Sequence, residues 1–148
     1  MKKILAVAAL VLTLSGCLGL NQPSGSDIES MSKTEFNQEF HGLFLASEVV
    51  KHNGFKQNDS RYVAEVSVMG QAQRSLEEYS KELLNDPSLN PFDKLKHSMA
   101  IGVLKMTLPE FKQGDIIEFE RYYLFIKTDN GWRLQKALSE EERSQLVL

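Results

Sequence analysis

The C-terminal third of this 148-residue chain places the tightest limit on its fold. Ile116 to Lys127 is rich in β-branched and aromatic residues and alternates, with Ile117, Phe119, Tyr123 and Phe125 on one face. Glu118 and Glu120 begin the other face, which turns apolar at Tyr122, Leu124 and Ile126. A strand that becomes apolar on both faces is covered on both sides there. Asp129-Asn130-Gly131 follows, a tight-turn sequence because Asn and Gly tolerate positive φ. Trp132 to Leu138 then returns, with Trp132, Leu134 and Leu138 on one face. The chain therefore carries an antiparallel hairpin, and an all-helical fold is excluded.

Helical patterns occupy much of the remainder. Ser32-x-x-Glu35 reads as a capping box, with hydroxyl and carboxylate each satisfying an amide of a first helical turn. Phe36, Phe40, Leu43, Phe44 and Val50 recur at helical spacing, which predicts a helix reaching Asn53-Gly54 and packing its phenylalanines in the core. Tyr62 to Met69 alternates as a strand, with Gly70 marking its end or a bulge. Ser75-x-x-Glu78 is a second capping box and opens a short helix to Leu84, broken by Asn85-Asp86-Pro87-Ser88. Asn90-Pro91 suits another helix start, and Phe92, Leu95, Met99, Val103 and Met106 trace its stripe. Met99 to Leu108 also fits a strand through Ala100, Gly102, Leu104, Met106 and Leu108, so both readings stand. Ser139-Glu140-Glu141-Glu142 suits a last helical turn. The expected class is α+β: a small antiparallel sheet with the N-terminal and middle helices packed on one face, closed by the C-terminal β-hairpin.

Before all this stands a different kind of segment. Met1-Lys2-Lys3 is a short basic start, and Ile4 to Leu14 is nearly all apolar. That run is far shorter than the roughly 20 residues of a spanning helix and suits a signal peptide. Leu14-Ser15-Gly16-Cys17 follows, and it resembles the lipobox of bacterial lipoproteins. The resemblance implies cleavage between Gly16 and Cys17, with a diacylglycerol and an acyl chain carried by Cys17. It also implies that Leu18, in place of an Asp, favours the periplasmic face of the outer membrane. Residues 1–16 are then a removed address, 17–27 an anchor and flexible tether rich in Gly, Pro, Ser and Asn, and 28–148 a single domain. Losing Lys2 and Lys3 takes the formal charge from −3 to −5. Without a basic cluster, this acidic chain is a poor ligand for nucleic acid.

The hairpin Tyr123–Lys127 and Gly131–Leu134 resembles the closing hairpin of nuclear-transport-factor-two-like domains and of lumazine-binding-protein-like lipoproteins. The resemblance implies a cone-shaped fold with a long N-terminal helix. The chain departs from it in offering three clear strands, and no catalytic residue transfers.

Chemistry-bearing motifs are sparse. Cys17 is the single cysteine, so neither a disulfide framework nor a thiolate zinc cluster is expected. On one helix His41 and His52 would stand about 16 Å apart, too far to share a metal. Glu118 and Glu120 share a strand face about 6.5–7 Å apart, a spacing usable for acid–base work but ordinary for a solvated face. No nucleophile elbow, phosphate loop or dinucleotide fingerprint is present. The candidate pocket or interaction residues are Tyr122, Tyr123, Phe125 and Trp132, large side chains of the kind that dominate interfaces. Tyr122 and Tyr123 lie on opposite strand faces, so one of them is the better surface candidate. The expected function is a non-catalytic, lipid-anchored envelope module, with the membrane and an envelope protein or a second copy as partners. The alternatives are a small-ligand pocket and, behind it, a hydrolase or isomerase. No metal or other cofactor is expected.

Overall fold

The computed structural model describes residues 21–146. Gly16, Cys17 and Leu18, which carry the expected cleavage and anchor, lie outside the described residues. The element order is α1 (Gly25–Glu39), β1 (Phe44–Asn58), β2 (Arg61–Ala72), α2 (Leu76–Asn85), α3 (Pro91–Thr107), β3 (Ile116–Thr128), β4 (Gly131–Ala137) and α4 (Glu140–Leu146). The four strands form one antiparallel sheet in the order β1-β2-β3-β4, and the class is α+β as expected.

The first helix differs most from expectation. Its N-cap is Ser24, whose hydroxyl accepts from the Asp27 amide while the Asp27 carboxylate accepts from the Ser24 amide. The helix thus starts inside the segment read as tether, and Pro23 is already buried. Ser32, expected as the cap, sits mid-helix and fully buried between Ile28 and Phe36. Box signatures are short and recur in a Ser-rich stretch, so the apolar positions Ile28 and Phe36 decide which one is used.

The helix also ends early. His41 (φ 47°) and Gly42 (φ 86°) reverse the chain, and Phe44 opens β1 instead of another helical turn. Phe44 still meets Phe40, with ring centroids 5.2 Å apart, because the strand folds back beneath the helix. Gly54, expected as a helix cap, lies within β1. This strand is unreadable by alternation because its register against β2 shifts three times, at Ala46/Glu48, Lys51/Asn53 and Lys56/Asn58. Each bulge flips the parity of the residues that follow. The same bulges break up the exposed edge of the sheet, which discourages strand addition.

The core lies between α1 and one sheet face. Phe36, Phe40, Phe44 and Phe119 form a tilted and edge-on aromatic cluster with centroids 4.7–5.2 Å apart, extended by Phe111. Gly70 leaves room for it, since a Cβ there would stand 2.8 Å from both Phe36 and Phe119. Arg121 of β3 pairs with Glu39 at 2.9 Å and stacks over Phe119, pinning the end of α1 to the sheet. The opposite face is met by α4, where Arg143 stacks over Tyr122 and Gln57 donates to the Leu146 carbonyl. Val63 and Leu124 are buried on that face, so β3 is covered on both sides near its end as its pattern predicted.

Between β2 and β3 the chain leaves the sheet as a helical hairpin. Ser75 and Glu78 form the expected reciprocal cap of α2. Asn90 caps α3 with Pro91 in its first turn, which settles Met99–Leu108 as helix.

Candidate functional site

The surface that departs most from a folded domain's ordinary economy is on α3. This helix has 17 residues, most of them apolar, and none is buried. Two apolar stripes run along it on opposite sides. Ile101, Leu104 and Leu108 are half-buried and pack on the core cluster along with Leu76 and Leu83 of α2. His97, near this side, meets His41 of the α1–β1 turn edge-on, with centroids 6.4 Å apart. The other stripe is the one that periodicity singled out: Phe92, Leu95, Met99, Val103 and Met106. These five side chains are 58–88% exposed. A contiguous apolar patch of this kind marks a contact surface, whereas isolated exposed apolar residues do not.

Charge along α3 is one-sided. It carries Lys94, Lys96 and Lys105 against Asp93 alone. Asp93 is engaged at the helix start, accepting from the Asn90 side-chain amide at 2.6 Å. Lys94 donates to the Leu84 carbonyl and fastens α3 to the end of α2. Lys96 lies along the exposed stripe, its ammonium 4.9 Å from the centre of the Phe92 ring.

A cleft of about 610 Å³ opens on the opposite side, between α2 and α3. Leu76, Ile101, Leu104, Leu108 and Phe111 give it an apolar floor, and Lys81, Glu77, Lys105 and Glu110 stand at its rim. Lys81 is held by Glu77 at 2.6 Å, which also keeps the Glu77 carboxyl below its ordinary range.

The four aromatic candidates of the hairpin do not form a surface. Tyr123 and Phe125 are fully buried and Trp132 nearly so, all in the core under α1. These three, expected as interaction or pocket residues, are not exposed as a surface: the sheet face they share is the one α1 covers, and Trp132 lines a cleft between α1 and β4. Burial pushes the Tyr123 phenol well above its ordinary value, and neither its hydroxyl nor the Trp132 indole N–H has a protein partner. Tyr122 points to the other face and donates to Glu65 at 2.7 Å, a hydrogen bond that raises its own pKa. It is capped by Arg143 and is only partly exposed.

One polar group escaped sequence reasoning. His52, expected near a helix C-terminus, stands on β1 with Nε2 2.7 Å from Ser67 Oγ. Ser67 in turn donates to Glu118 at 2.6 Å. Because the single hydroxyl proton goes to Glu118, the His52 ring nitrogen is the donor to Ser67. Ser67 is 1% exposed and directs its proton to a carboxylate and not to the imidazole. This is the reverse of the order that activates a serine nucleophile. Glu118 and Glu120 are exposed, the former engaged by Ser67. No group of three or more metal-ligating side chains is assembled among the described residues.

The chain matches no protein-family model, no curated protein and no solved structure.

Proposed function

We propose that the protein is a lipid-anchored lipoprotein of the bacterial cell envelope, placed at the periplasmic face of the outer membrane. In this reading it is a non-catalytic accessory or interaction module that works by surface contact close to the bilayer. One observation carries the contact half of the reading: the five-residue apolar stripe of α3 stands in solvent on a helix with no buried residue. An apolar helix leaves such a face open only at a cost in hydration, roughly 25 cal/mol for each Å² that a partner would cover. The anchor half rests on Leu14-Ser15-Gly16-Cys17 behind its basic and apolar leader. From Cys17 to the buried Pro23 is six residues, at most about 20 Å of extended chain. A domain so tethered meets membrane-borne partners at high effective concentration, and weak contacts suffice.

The test is metabolic labelling of cells with palmitate, with and without globomycin. The wild-type chain incorporates label, Cys17→Ser does not, and globomycin leaves the longer unprocessed form. A chain that stays unlabelled and keeps its leader without the inhibitor overturns the anchor.

A further inference from the structure

We infer that the edge strand β4, beside its cleft with α1, docks an extended peptide that adds to the sheet as a further strand and carries an acidic residue between two apolar ones. The site is separate from the lipid anchor and from the α3 stripe, so it goes beyond the reading above and stands or falls on its own.

The backbone of β4 is open for such pairing. β4 ends the sheet on one side, as β1 does on the other, and the two edges differ. Three register shifts break up β1, whereas β4 pairs evenly with β3 from Gly131 to Leu134 and is irregular only beyond, between Leu134 and Lys136. The Lys127 amide donates to the Ser60 carbonyl, so the backbone of Lys127 is directed to the β2 side. In an antiparallel ladder the residue opposite then turns its own N–H and C=O away from β3. That residue is Trp132, and the period of two makes Leu134 the next. Among the described residues no backbone group outside the sheet bonds to either. Two such pairs of groups, about 6.8 Å apart, match the repeat of another extended backbone.

A cleft of about 510 Å³ lies alongside, between α1 and β4. Trp132, Arg133 and Leu134 all line it, although strand alternation directs the Arg133 side chain to the opposite face from Trp132 and Leu134. The cleft therefore opens along the edge of the strand as well as over its face. Side chains of an added strand that point to the α1 face enter it against Met31 and Leu134, both half-buried, which favours apolar residues there. Glu35 stands on the helix wall and repels an acid on this side.

The position between those two points to the other face, directly beside Arg133. Lys136 is taken by Glu142, whereas Arg133 has no acidic partner among the described residues. An acidic side chain on the added strand completes a cross-strand pair with it. The same arginine disfavours a second copy. Antiparallel pairing of two β4 edges through both outward residues sets Trp132 opposite Leu134 and Arg133 opposite its own counterpart, and like charges directly opposite repel.

The experiment uses the full chain as cells process it, solubilised in detergent, with amide hydrogen exchange as the readout. In the free chain the Trp132 and Leu134 amides exchange fast and the Arg133 amide slowly. The probe is the blocked peptide Thr-Val-Glu-Val-Thr. At about 1 mM it is expected to slow exchange at 132 and 134 at least about threefold. N-methylation of its two valines removes the donors that face β4 and abolishes the slowing. Arg133→Glu moves the preference from this peptide to Thr-Val-Lys-Val-Thr. Unchanged exchange at 132 and 134 with the glutamate peptide overturns the proposal, and so does equal binding of the N-methylated form. Equal binding of the lysine peptide by the wild-type chain overturns the acidic assignment. Amides at 132 and 134 that are already slow without peptide also overturn the proposal. Slowness independent of protein concentration then assigns the edge to the chain's own N-terminal residues, and slowness that grows with concentration assigns it to a second copy. The mass of the N-terminal peptide reports separately whether Cys17 is acylated, so an unacylated chain that binds the probe refutes the anchor and not the site.

Discussion

Two hydroxyls in the core under α1 have no protein partner: Ser32 Oγ and Tyr123 Oη. A buried hydroxyl without a hydrogen bond costs about 1–3 kcal/mol. Tyr123→Phe and Ser32→Ala are therefore each expected to raise stability by about 1 kcal/mol, measured by urea unfolding. A loss of stability in either would place a hydrogen-bonding partner at that oxygen. Tyr123 also carries a pH signature. Burial raises its folded pKa above the ordinary value of 10.0, so its contribution is complete below pH 10 and is lost as pH rises through the folded value. Absorbance titration of the phenols is expected to lose its latest step in Tyr123→Phe. Gly70 is the opposite case, a position where any side chain is too large. Its substitution by Ala drives a methyl into Phe36 and Phe119, and a loss of about 1–3 kcal/mol is expected in the same unfolding measurement. The strand pattern around Gly70 was legible in sequence. The ring contacts were not, because Phe36 and Phe119 come from elements far apart in the chain.

Elements with a complete local signal were the ones sequence reasoning located well. Ser75 and Glu78, and Asn90 followed by Pro91, each hold their own helix start through contacts within three residues. The expected cost of Ser75→Ala is about 1 kcal/mol in α2, read as faster amide exchange at Glu78. The Ser75 amide hydrogen bond holds the Glu78 carboxyl below its ordinary value of 4.5. That contribution is present above pH 4.5 and is lost as pH falls through the folded value. Glu78→Gln keeps the box but is expected to flatten this acid limb of α2 protection. Against these stands β1, whose three register shifts erase the period of two and let Phe44 and Val50 pass as the continuation of a helical stripe. The pair His52 and Ser67 was lost with it, since a residue placed on the wrong element cannot be given its neighbours.

At the scale of the molecule, α3 belongs to the fold by one face only. Leu104→Ala is expected to cost about 1–2 kcal/mol, because Leu104 packs toward the core cluster. Met99→Asp with Val103→Asp is expected to change unfolding stability by less than about 0.5 kcal/mol, because both side chains stand in solvent. Equal losses in the two experiments would show that the stripe is structural. The sequence by itself determined that the chain is α+β, that a hairpin closes it, that α2 is a helix capped by Ser75, and that Asn90-Pro91 suits a helix start; that Met99–Leu108 continues that helix was decided by the structure. It also determined that an apolar leader precedes a single cysteine, since composition and spacing of this kind are written in consecutive residues. Only the tertiary structure decided which apolar surfaces meet each other. Periodicity identifies an apolar stripe but not its partner. The stripe of Phe36 and Phe40 found a sheet through a chain reversal at His41-Gly42, and the aromatic hairpin residues found α1. The most regular stripe of all, on α3, found nothing within the described residues. Burial depends on what the rest of the chain brings alongside, and no local pattern records that.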